Sequence, residues 1–71
     1  MTEPTYDSSN WPYRVRIFAP INQGGHLLIE TCHRTTASRD TEIAAARSRR
    51  LRGEVGRIER LDYISCIRED L

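Results

Sequence analysis

The stretch TTASRDTEIAAARSRRLRGEV, residues 35–55, decides the fold. Between residues 39 and 52 it has neither Gly nor Pro, runs through three consecutive alanines, and closes on Arg49, Arg50 and Arg52. Alanine costs no side-chain entropy in a helix, and cations favour the negative end of its dipole, so this segment predicts a helix. Ser38 is the expected N-cap, with Asp40 and Glu42 in the first turn and Gly53 as the stop. Ala37, Thr41, Ala44, Ser48 and Leu51 recur at spacings of three and four, flanked by Ile43, Ala45 and Arg47. They mark the expected buried stripe, whose small residues let a helix lie close on a sheet.

Upstream, residues 13–19 (YRVRIFA) alternate, with Tyr13, Val15, Ile17 and Ala19 on one face and Arg14, Arg16 and Phe18 on the other. Period-two patterning of β-branched and aromatic residues predicts a half-buried strand. Pro20 ends it, and residues 21–25 (INQGG) supply the glycines of a hairpin loop. Residues 26–35 resume strand character, Leu27, Ile29 and Thr31 opposing Leu28, Glu30 and Cys32. Downstream, residues 54–67 read as strand without one clean alternation, so either a bulge near Leu61 or a turn at Asp62 divides them. Residues 68–71 are charged and expected to fray, and residues 1–12 read as an extended tail that Trp11 and Pro12 tuck against the fold.

The expected architecture is therefore α+β: a small antiparallel sheet of three to four strands, β-β-α-β or β-β-α-β-β, with one helix packed on one face. Residues 13–71 form its single domain. The core is expected from Val15, Ile17, Leu27 or Leu28, Ile29, Ile58 and Ile64 beneath the helix. The opposite face, carrying Arg14, Arg16, Phe18, Glu30 and Arg57, is left for a partner or for a second copy in a homodimer.

Composition narrows the function. All eleven basic residues are Arg, against ten acidic ones, for a net charge of +1. An Arg-only complement is what a GC-rich genome writes, and it leaves a surface suited to planar, bidentate contacts. No apolar run of eighteen residues spans a membrane, and no secretory leader is read, which predicts a cytoplasmic protein. Cys32 and Cys66 are expected as reduced, half-buried thiols. Cys32 and His33 adjoin on a strand and point to opposite faces, so no shared metal ion and no cofactor is expected. Nucleophile elbow, Walker loop and paired-histidine motifs are absent, and His26 and His33 read as exposed strand histidines, so no enzyme is expected. One helix on a small sheet also offers little concavity for a ligand.

Two binding classes remain. Arg14 and Arg16 around Phe18, with Arg47, Arg49, Arg50 and Arg52 on the helix, resemble a single-stranded nucleic-acid platform. Against it stand the near-neutral charge, the dipole preference for cations at a helix end, and the alternating signs of Arg57, Glu59 and Arg60. Contact with a partner protein is the preferred reading, with Arg14, Arg16, Phe18, Arg47, Arg50 and Arg57 as the contact residues.

The passage TTASRDTEIAAARSRRLRGEV followed by GRIERLDY (residues 56–63), set in this element order, resembles small phage-encoded proteins, among them anti-CRISPR proteins that target type I effector complexes. The resemblance covers residues 13–67 and lies in size and element order. Anti-CRISPR proteins share no motif, so no residue role carries over. What it implies is a non-catalytic inhibitor in the bacterial host's cytoplasm, blocking DNA or nuclease access by surface contact.

Overall fold

The computed structural model describes residues 11–71; residues 1–10 of the expected tail lie outside the described residues. The chain forms β1 (Tyr13–Phe18), a 3-10 turn (Ile21–Gln23), β2 (Leu27–His33), α1 (Thr36–Leu51), β3 (Ile58–Asp62) and β4 (Ile67–Asp70). The strands make one antiparallel sheet in the order β2-β1-β3-β4, with α1 against one face. This is the expected α+β architecture in its four-stranded form.

Alternation in β1 sorts the two faces. Val15 and Ile17 are buried beneath the helix, and Ala19 follows them into the interior. Gly24 and Gly25 take positive φ in the connection to β2, where any side chain would be strained. Ile17 lies opposite Ile29 and Phe18 opposite Leu27, so Leu28 is the extra residue of a β-bulge on the sheet edge.

The helix begins one turn before the expected site. Thr35, not Ser38, is the N-cap: its backbone is extended and its Oγ1 accepts the Ser38 amide at 3.2 Å. Ser38 is already helical, and Asp40 and Glu42 therefore lie beyond the first turn. Gly53 does serve the stop. At φ +78° its amide donates to Arg50 O (3.0 Å) while Glu54 N donates to Arg49 O (3.0 Å), the paired bonds of a Schellman turn.

The buried stripe is Ile43 and Ala46, flanked by half-buried Arg39, Glu42, Arg49 and Arg50, rather than Ala37, Thr41, Ala44, Ser48 and Leu51. At roughly 100° per residue, Ile43 and Ala46 lie well over a quarter turn from the centre of the expected stripe, so the helix presents nearly its opposite face. Arginine stems supply apolar cover that a count of alanines misses. Leu51, at 91% exposure, touches none of the core.

α1 crosses the sheet diagonally. At its start, Ser38 Oγ bonds His33 Nδ1 (2.8 Å) at the end of β2; at its finish, the Arg50 guanidinium donates to the main-chain oxygen of Leu71 beside β4. Two corners are left uncovered. Leu27, Leu28 and Ile29 are half exposed at one, and at the other Tyr63 and Ile67 are half exposed and Ile64 mostly so, so Leu27, Leu28, Ile29 and Ile64 leave the expected core. The core is Val15, Ile17, Ile43, Ala46, Val55 and Ile58, with Leu71 packed against it.

Other expectations are corrected by the same packing. His33 is buried, held by Thr31 Oγ1 and Ser38 Oγ at 2.8 Å each, while His26 is exposed as expected. Residues 68–71 do not fray: they belong to β4 and its end, where Leu71 N donates to Ile58 O (2.8 Å). Cys66 is exposed rather than half buried, and both cysteines are free.

Asp62 resolves the ambiguity in residues 54–67 as a turn. Its Oδ1 accepts the amides of Ile64 (3.0 Å) and Ser65 (3.3 Å). Desolvation works to raise its pKa, but hydrogen bonds from Ser65 and Ile64, with the charge of Arg39, outweigh it and hold the carboxyl below its ordinary 3.8.

Candidate functional site

The face away from the helix is built in cross-strand rows. Glu30, Arg16, Glu59 and Asp70 lie side by side across the four strands, and Cys32, Arg14, Leu61 and Arg68 form the next row. Long side chains on neighbouring strands cover one another, and Leu61 is 6% exposed between Arg14 and Arg68.

Glu59 has no exposed surface. Its carboxylate meets Arg68 at 2.8 Å, Arg16 at 3.3 Å and Arg57 at 3.9 Å. A buried carboxylate persists when hydrogen-bonded cations replace its water; the guanidiniums of Arg16 and Arg68 do so here, and that of Arg57 pairs with it at longer range. Glu30 plays the same part at the edge, 3.3 Å from Arg14 and 3.6 Å from Arg16. Aromatic rings complete the pattern: the Arg14 guanidinium lies 4.9 Å from the Tyr63 ring centre and that of Arg57 4.0 Å from the Phe18 ring centre.

At one end of this face lies an open cleft of about 500 Å³. Phe18, Ala19, Ile21 and Leu71 give it apolar walls, and Arg50 and Arg57 stand at it from the helix and from the approach to β3. The cleft depends on a close backbone crossing at Gly56, where a Cβ would come within 2.5 Å of Ala19 O. Gly56 N donates to Phe18 O and Phe18 N to Arg57 O, at 2.8 and 2.9 Å, fixing the rim. The expectation of little concavity is thus overturned.

Three of the six expected contact residues, Phe18, Arg50 and Arg57, converge on this cleft. Arg14 and Arg16 share the face but are engaged by Glu30 and Glu59. Arg47 stands apart, exposed on the helix. Arg57, Glu59 and Arg60 alternate in sign along the sequence, and strand alternation sends Glu59 to the open face and Arg60 to the other, 2.6 Å from Glu69. Glu59 and Arg68 are the residues of this face that the sequence did not single out, whereas Glu30 stands on it as expected and pairs with Arg14 and Arg16. The signal was the shared parity of Arg57, Glu59 and Leu61 once β3 is placed beside β1.

Among the described residues, no group of three or more His, Cys, Asp or Glu side chains is placed to hold a metal ion. No helix among them is long and apolar enough to cross a membrane. No family model, curated protein or solved structure matches the chain.

Proposed function

We propose that the chain is a non-catalytic binding protein that occupies a partner protein's surface, docking through the cleft and the guanidinium-bearing face beside it. The observation that carries this reading is convergence: Phe18, Arg50 and Arg57 come from three different segments and meet at one recess. An apolar anchor site ringed by arginine has the composition of an interface hot spot. The resemblance to small phage anti-CRISPR proteins extends the proposal to the partner, a type I effector complex or its recruited nuclease in the bacterial cytoplasm.

The ion pairing disfavours nucleic acid as the partner. A phosphate approaching Arg16 or Arg68 must displace the Glu59 carboxylate already bound there, and one side of the Phe18 ring is occupied by Arg57. We expect no retention of mixed single-stranded oligonucleotides, whereas a phosphate-binding platform would show affinity falling steeply with salt.

The direct experiment mixes the purified chain with a purified type I effector complex and its nuclease, then measures binding and target-DNA cleavage. A stable complex with reduced cleavage is expected, weakened about tenfold or more by Phe18→Ala or Arg57→Gln in variants that stay folded. Full binding by both variants and by Arg50→Gln rules out this surface, and absence of binding to either component rules out the proposed partner.

A further inference from the structure

Arg57 is the loosely held cation at the cleft, and its chemistry selects what fits there. On the open face Arg14, Arg16, Arg57 and Arg68 stand against Glu30, Glu59 and Asp70. Glu59 is shared by three of these arginines, and Arg57 has the longest of the contacts, at 3.9 Å, with half its side chain exposed. Arg50 adds a second guanidinium at the cleft, where it donates to the main-chain oxygen of Leu71. A guanidinium carries five N–H donors, so both keep donors for a further acceptor. The walls between them are apolar.

We infer that the cleft takes a partner-protein segment in which an aliphatic side chain is flanked by a carboxylate: the aliphatic group against Phe18, Ile21 and Leu71, the carboxylate on Arg57 with Arg50 beside it. This rests on the docking reading above and deepens it by naming the chemistry of the partner's anchor. The carboxylate replaces the weak hold of Glu59 on Arg57 with a charge-assisted contact. The guanidinium stacked on Phe18 is pre-positioned for it.

The test uses the full chain, labelled for NMR, with three probes: acetyl-Leu-Glu-Leu-amide, its Gln counterpart, and octanoate. Gly25 and Gly56 line the cleft, so their amide signals report its occupancy. The Glu peptide is expected to shift both signals and to bind about tenfold tighter than the Gln peptide, with the difference shrinking as salt rises. In the Arg57→Gln variant the two peptides are expected to bind alike. Equal binding of both peptides by the unaltered chain, or no shift of either glycine, overturns the inference. Octanoate matching the Glu peptide overturns it in favour of a site for free amphiphilic acids. Loss of effector binding in Phe18→Ala without any preference for the acidic peptide leaves the docking reading standing and removes only this one.

Discussion

Glu59 is where the open face is most exposed to mutation, although the residue itself sees no solvent. Replacing it with Ala leaves Arg16, Arg57 and Arg68 repelling one another over an empty site. Those arginines are 32%, 49% and 66% exposed, so water can rehydrate them and soften the loss. We expect Glu59→Ala to lower unfolding free energy by about 2 kcal/mol, read from the urea midpoint, and Glu59→Gln to cost less because its carbonyl still accepts. Gly56 is the other sensitive position, for steric reasons. A methyl there meets the backbone of Ala19 and Pro20, which cannot swing aside as a side chain would, so Gly56→Ala should cost about 1–3 kcal/mol and disturb the cleft.

Among the elements, α1 was legible in composition but not in its setting. Three alanines, no Pro, terminal arginines and Gly53 announce a helix whatever it packs against. Which face turns inward depends on the sheet beneath, and there Ile43 and the stems of Arg39 and Arg50 outweigh Ala44 and Leu51. The start was misread because Thr35, Thr36 and Ser38 all have capping chemistry, and only Thr35 has the extended backbone. Thr35→Ala should cost about 1 kcal/mol in thermal or urea unfolding, whereas Thr36→Ala should cost less. The β3–β4 turn contributes a pH dependence. The Asp62 carboxyl titrates lower in the fold than its ordinary 3.8, so its stabilising contribution is fully present above that value. It is lost as pH falls through the lowered one. Stability measured from neutral pH into acid should therefore decline more for the native chain than for Asp62→Asn, and the two curves should converge at low pH.

For the molecule as a whole, the diagonal path of α1 decides which apolar residues matter. Ile43→Ala opens a hole above Val15 and Ile58 and should cost about 2–4 kcal/mol, a large share of a small fold's stability. Leu51→Ala, on a residue 91% exposed, should leave the unfolding midpoint nearly unchanged. The contrast checks the helix setting directly. The loss of phase in residues 54–67 left a bulge near Leu61 and a turn at Asp62 equally open, and the Asp62 hydrogen bonds decide for the turn. The strand pattern of β1 could be read from alternation because it depends on near neighbours. The cleft could not be read that way: Phe18, Arg50, Arg57 and Leu71 meet only after β3 has inserted beside β1 and the chain has returned along β4. Glu59 was hidden for the same reason, since its three cations come from β1, β4 and the approach to β3.

The β3–β4 tip lies at the end of the sheet opposite the cleft and carries Cys66, exposed, in a left-handed backbone conformation with φ +56°. Its thiol is the more accessible of the two, because Cys32 is half covered on β2. A maleimide dye should therefore attach at that tip first, giving a single fluorescent handle whose tumbling slows on complex formation while the recess at the far end stays unencumbered.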